Sequence, residues 1–322
     1  MRKTFSLLVL LLVLAPVLAL FQNMTLLPPD YDFCMAPMAI NDEWSNEVQV
    51  QVDGFSENMM EPKFSNDQKV LFFNDKPASG DNNMNIHYAV LQSSGHYQYA
   101  GVLPGTVSNG LDGVPVIDGA NRFYFTSNRN WIETTGSIYG GQLALGNKGL
   151  LVVNPASVDR YLPRKAPGEI DMDIDISYDG LTAISSRAFF SDNKPFPDYG
   201  VLKGFNMSNY VMTSNPILDI FLAPVNRKEC VVYAPNLSQN KLELYFTFYQ
   251  QGKVPALNGF HIAVTKRYSI YQQFGQGKVI AGIKGNLTEA PSLTTNDGQK
   301  NLIFHKIDPA TGKFRIYKVS RL

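Results

Sequence analysis

A chain of 322 residues that is 44% hydrophobic, 17% charged and 12% aromatic can bury a large core and is too apolar for a disordered protein. Its 28 Lys plus Arg balance 28 Asp plus Glu, so no net field recruits nucleic acid or an anionic membrane surface, and a dedicated nucleic-acid binder is excluded. Length alone leaves open one large domain or two ordinary ones.

The chain begins Met1-Arg2-Lys3, followed by a mostly apolar run from Phe5 to Leu20 that contains Val17-Leu18-Ala19. This reads as a secretory signal peptide, residues 1–19, cleaved after Ala19. Residues 20–46 follow as a leader segment, and 47–322 as the folded domain. The mature protein is expected to be secreted or periplasmic, without stable membrane insertion after cleavage, because no other segment reads as a span. Cys34 and Cys230 are a disulfide candidate in an oxidising compartment, worth about 4 to 5 kcal/mol for so long a loop; two unrelated buried thiols are the alternative. Sequons stand at Asn23, Asn206, Asn236 and Asn286.

After the signal, helical periodicity is scarce. Short alternating or β-rich runs recur, among them Glu47 to Val52, Lys69 to Phe73, Arg122 to Thr126 and Leu242 to Phe248. The chain reads as all-β. Several runs follow the same kind of tight turn, centred on Asp67, Asp118, Asp179, Gln239 and Asp297, at a spacing of about 50 to 60 residues. Asp and Asn suit such turns because their short side chains bond locally and tolerate left-handed backbone. Five units of strand, turn and strand predict a single five-bladed β-propeller, with sizeable loops around 130 to 147 and 188 to 225.

Pro62-Lys63-Phe64-Ser65-Asn66-Asp67-Gln68-Lys69, followed by Val70-Leu71-Phe72-Phe73, resembles the WD40-like repeat of TolB-type propellers. Ser127-Asn128-Arg129 and Ser185-Ser186-Arg187 stand where that family often has a Ser-x-Arg-like ending to its second strand. The resemblance covers roughly residues 47 to 322, closer in the first, third and fifth turns than in the second and fourth. It implies a fold and leaves function open. The segment Lys313 to Ser320 reads as the third strand of the fifth unit with no fourth after it. The unassigned Glu47 to Val52 strand is therefore expected to supply the outer strand and close the ring, removing two open edges at once.

Aligning the turns places Glu61, Val114, Asp173, Ala234 and Glu289 around one mouth of the channel. In Glu169-Ile170-Asp171-Met172-Asp173-Ile174-Asp175-Ile176, period two puts four carboxylates on one strand face. Such a face suggests a wet channel or a bound cation, with Ca2+ the candidate, or else a solvated rim with basic neighbours. No metal site is assigned. Glu61, Asp171, Asp173 and Glu289 are thus candidate catalytic or ligand-binding residues, together with Trp131. Tyr139, Tyr161 and Phe196 could also stack on sugar rings, with loop packing as the alternative.

Two carboxylates across a sugar are the minimum for glycoside hydrolysis. Propellers of the arabinanase and levansucrase type use inner-strand carboxylates, but their local signatures are absent here and their acids come from a different set of blades. His87, His96, His261 and His305 have no metal-ligand spacing. There is no Gly-x-Ser-x-Gly elbow and no phosphate-cradling glycine loop. The reading is an exported propeller acting as a binding or interaction module for a protein or small ligand, rather than an enzyme. A glycoside hydrolase-like, carbohydrate-active enzyme acting on a glycan is the alternative.

Overall fold

The computed structural model describes residues 40–76, 83–130, 136–191, 197–227, 229–251, 259–285, 287–295 and 297–322. The strands form five blades around an axis. Blade one comprises Met60–Phe64, Val70–Asn74, Ile86–Leu91 and Tyr97–Val102. Blade two comprises Asp112–Ile117, Arg122–Ser127, Ile138–Gly146 and Gly149–Ser157. Blade three comprises Glu169–Ile176, Thr182–Phe189, Tyr199–Ser208 and Val211–Ser214, and a short helix, Pro216–Leu222, follows it. Blade four comprises Cys230–Leu237, Glu243–Gln250, His261–Lys266 and Lys278–Ile280. Blade five comprises Glu289–Leu293, Asn301–Ile307 and Phe314–Ser320. Much of the expected loop regions is therefore strand, in the outer hairpins of blades two and three.

The second strand of each blade shows why the sequence stacks this way. Alternate residues point to opposite faces, and both faces are covered by a neighbouring blade. Phe72 packs toward Ile117 and Phe123 of blade two, whereas Leu71 and Phe73 pack toward Ile303 and Ile316 of blade five. Tyr124 faces Ile174 and Ile176 of blade three, while Phe123 and Phe125 face blade one. Tyr245 faces Leu302 and Phe304 of blade five, while Leu244 and Phe246 face Ile184 and Leu202 of blade three. Each interface has its own apolar packing, in two clusters between blades four and five, and each large buried side chain contributes about 1.5 to 3 kcal/mol.

The turns after the inner strands share one hydrogen-bond device. Ser65 Oγ donates to Asp67 and accepts the Val70 N–H, and Asp67 accepts the Lys69 N–H. Ser177 with Asp179, and Thr294 with Asp297, repeat it. In blade four the carboxamide of Asn240 does this work with Ser238, so the turn centres there and not on Gln239. In blade two Asp118 occupies the serine position, accepting from the Ala120 and Arg122 amides and from the Arg122 guanidinium.

The N-terminal segment closes the ring and does more than the single strand expected. Val48–Gln49 pairs antiparallel with Lys318 and Tyr317 as the fourth strand of blade five. Val52–Asp53 then runs parallel to Tyr97 and Gln98 on the edge of blade one. Earlier, Ile40–Asn41 lies parallel to Val279 and Ile280 of blade four. Trp44 is buried between these pairings, edge-on to Tyr245 at 6.0 Å, with the Arg321 guanidinium 4.9 Å above its ring. Cys230 is buried at the start of blade four; Cys34 lies outside the described residues. No helix among the described residues is long and apolar enough to cross a membrane.

Candidate active site

Four of the five inner strands carry a bulge whose first residue has positive φ and precedes a proline. These are Glu61 (φ 51°), Val114 (55°), Ala234 (48°) and Ala290 (56°), followed by Pro62, Pro115, Pro235 and Pro291. Left-handed backbone on a non-glycine residue before proline costs on the order of 1 to 3 kcal/mol and persists because its surroundings hold it. Here the holding groups come from neighbouring blades. The Glu61 amide donates to His305 Nδ1 of blade five, and the Val114 amide to Glu61 Oε2 and Asn74 Oδ1 of blade one. The Ala234 amide donates to Asp173 Oδ2 of blade three, and the Ala290 amide to Thr247 Oγ1 of blade four. The bulges are thus interlocked around the mouth. In blade five Ala290 holds the position of Glu61, and Glu289 stands one residue earlier, equivalent to Tyr233 of blade four.

Glu61, Asp173 and Glu289 nonetheless come together. Burial, reinforced by the charges of Asp173 and Glu289, pushes the Glu61 carboxyl well above the ordinary carboxylate range. Burial, with the Glu289 charge added, raises Asp173 to about 6. Glu289 accepts from the Tyr233 hydroxyl on Oε1 and lies 3.2 Å from His305 Nε2 on Oε2. Burial first, then the Glu289 charge, holds the Tyr233 phenol well above its usual value, so it stays a donor. Among the described residues, none of the three carboxylates is ion-paired with Lys or Arg.

Asp171 does not belong to this group. A bulge at Met172 shifts the register, pairing Asp171 with Arg187 and Asp173 with Ser186. Asp171 is fully buried against the Arg187 guanidinium, at 3.0 and 3.3 Å, and the Lys165 ammonium, at 3.0 Å. Asp175 sits below the mouth, bonded to Lys63 Nζ (3.4 Å), Asn236 Nδ2 (3.1 Å) and the Leu237 amide (2.8 Å). Glu169 accepts from the Tyr199 hydroxyl. The acidic strand is therefore neither one face nor a solvated rim; its carboxylates are distributed among separate partners. Among the described residues no group of three or more His, Cys, Asp or Glu side chains is arranged to hold a metal ion. Asn236, read as a sequon, is buried and bonded to Asp175 and the Leu293 amide.

The axial cavity is about 40 Å³ and is lined by Glu61 and Asp173 together with Lys63, Asp175, Asn236 and Ser292, among others. That is room for water and not for a sugar ring. Trp131 and Phe196 lie outside the described residues. Tyr139 is buried against Phe125 and under Arg129, in a packing role, whereas Tyr161 is exposed on the loop leading into blade three. His305, Tyr233 and Asn74 join the site without having been expected there. The available signal was that Val70–Asn74 and Asn301–Ile307 are apolar runs in which Asn74 and His305 are the polar residues opposite the inner-strand bulge.

No protein-family model matches the chain, and no curated protein does. Solved structures do. An exo-1,5-alpha-L-arabinanase from a bovine ruminal metagenomic library is 13% identical over 84% of this chain and 95% of its own, with a TM-score of 0.52. A family 117 glycoside hydrolase from Zobellia galactanivorans is 12% identical over 87% and 91%, with a TM-score of 0.51. A complex of BT0996 with RGII is 6% identical over 88% and 92%, with a TM-score of 0.52. At this identity the likeness is one of fold: an all-β, five-bladed propeller. It supports the propeller part of the expected resemblance, while the TolB-type resemblance rests on the turns alone. The expectation of a binding module that is not an enzyme is corrected. Solved structures that share the fold include an arabinanase and a family 117 glycoside hydrolase, which counts for the carbohydrate-active alternative over the binding module.

Proposed function

We propose that the protein is a carbohydrate-active enzyme of glycoside hydrolase type, acting on a glycan at the mouth of the propeller. The carrying observation is the convergence of Glu61, Asp173 and Glu289 from blades one, three and five, with burial raising Glu61 and Asp173 while Glu289 meets the Tyr233 hydroxyl and His305. Pairs of titratable groups in contrasting environments are how one site holds both an acid and a base at neutral pH. Glu61, its proton retained by burial and by two neighbouring carboxylates, is the proton donor to the leaving oxygen. Glu289, accepting from Tyr233 and His305, is the base or nucleophile. Asp173 sustains the field that keeps Glu61 protonated. The turns and bulge prolines are scaffolding that fixes the inner-strand register.

The test is a panel of chromogenic glycosides, including arabinofuranosides, and pectic polysaccharides, assayed with the full chain. Glu61→Gln and Glu289→Gln should each lower kcat/KM by about 10²- to 10⁴-fold while thermal unfolding stays within a few degrees. Hydrolysis that survives both substitutions together, or its absence across the panel, would overturn the reading.

A further inference from the structure

We infer that His305 is a positioning residue of this site, whose single ring orients the acid of blade one and keeps the acid of blade five an acceptor. The geometry stands independently of the carbohydrate-active reading, and only the kinetic arm of its test rests on that reading.

A backbone amide can only donate. The Glu61 N–H, 3.0 Å from His305 Nδ1, therefore requires a lone pair there. The neutral ring then carries its hydrogen on Nε2, directed at Glu289 Oε2 3.2 Å away. The other Glu289 oxygen receives the Tyr233 hydroxyl. Both carboxylate oxygens thus face donors, and hydrogen bonding to the charged form favours that form. A proton added to Nδ1 would set N–H against N–H, so the imidazolium is incompatible with this arrangement.

The ring cannot turn to escape. Its side chain is 1% exposed and stands edge-on to Phe314 at 5.2 Å and 80°. Its Nδ1 contact is also the one that holds Glu61 at φ 51°, which aims that carboxylate at the Val114 amide of blade two. Among the described residues the titratable groups facing Glu289 are Tyr233 and Tyr249 from blade four, Asp173 from blade three, Glu61 from blade one, and His305 from its own blade. Of these, His305 alone contacts both Glu61 and Glu289 directly. A histidine serving only as core filler would need neither contact.

The test compares His305→Gln with His305→Leu in the full chain. A glutamine can accept through its carbonyl and donate through its amide, whereas leucine fills volume and does neither. In 15N-histidine spectra the resonance lost in both variants should show the Nε2–H tautomer in the wild type at pH 7. In carboxyl 13C spectra the Glu289 signal should move in the leucine variant, which removes the Nε2–H donor, and glutamine should restore it. On whichever glycoside is cleaved, the acid limb of kcat/KM should rise in pH for leucine and return for glutamine. An Nδ1–H or doubly protonated ring at pH 7, or identical behaviour of the two variants, would overturn the assignment. Failure to cleave any glycoside sinks the hydrolase reading, while the two spectroscopic results still decide the role of His305.

Discussion

Three carboxylates in one mouth behave differently because their immediate partners differ. Glu61 and Asp173 bind their protons more tightly in the folded protein than in the unfolded chain, Asp173 to about 6. The native state therefore holds more protons, and the stability arising from these groups is present at acid pH and lost as pH rises through that value. Asp173→Asn keeps an oxygen for the Ala234 amide and removes the ionisation. Its unfolding temperature relative to wild type should climb between pH 4 and pH 7, by a few degrees for each kcal/mol recovered, at roughly 2 to 4 °C per kcal/mol. Calorimetry over that range checks this; a constant difference at every pH would show that burial does not penalise the Asp173 carboxylate. The acids themselves were legible in the sequence, as Glu61, Asp173 and Glu289 next to the repeated turns. Their partners were not, because Tyr233 and His305 reach them only through the packing of blades four and five.

At the level of the strand, the bulge decides which acid faces the mouth and which meets cations. Period two placed Asp171 beside Asp173 on one face of Glu169–Ile176, and a single extra residue at Met172 separated them. Asp171 now pairs with the partly exposed Arg187 and shares the buried Lys165 with Asp159. Asp171→Asn leaves Arg187 without its carboxylate and Lys165 with Asp159 alone and should cost about 3 kcal/mol, measured by denaturant unfolding. An effect under about 1 kcal/mol would mean the cations find other partners. The Pro62, Pro115, Pro235 and Pro291 repeat was visible as a pattern, since proline is confined within sheets to edges and bulges. Its consequence, positive φ at the preceding residue, follows from inter-blade hydrogen bonds that no local rule specifies.

Across the whole molecule the weak point of a propeller is where the ring closes, and here one N-terminal segment crosses three blades. It lies along blade four at Ile40–Asn41, completes blade five at Val48–Gln49, and pairs with blade one at Val52–Asp53. Trp44 anchors this crossing against Tyr245 and Arg321. Trp44→Ala should destabilise by about 3 to 5 kcal/mol, with the closing blade losing amide-exchange protection first. Exchange that is uniform around the ring would show that closure does not depend on this anchor. Since the mouth is built from blades one, three and five, loosening the junction between five and one should also disturb Glu61 and His305 before Asp173.

The all-β class, the number of blades, the turn chemistry and the closing role of the segment before blade one were already set by the order of the amino acids. Each of these depends on short-range pattern: apolar alternation, a Ser or Thr with a nearby Asp or Asn, and the count of repeats. Only the packed ring made Asp171 a buried counter-ion, put Glu289 one residue out of register with Glu61, and let His305 join the two acids. A propeller assembles its mouth from residues more than a hundred positions apart. There, a one-residue bulge or a bond between blades redirects a side chain without leaving a local trace.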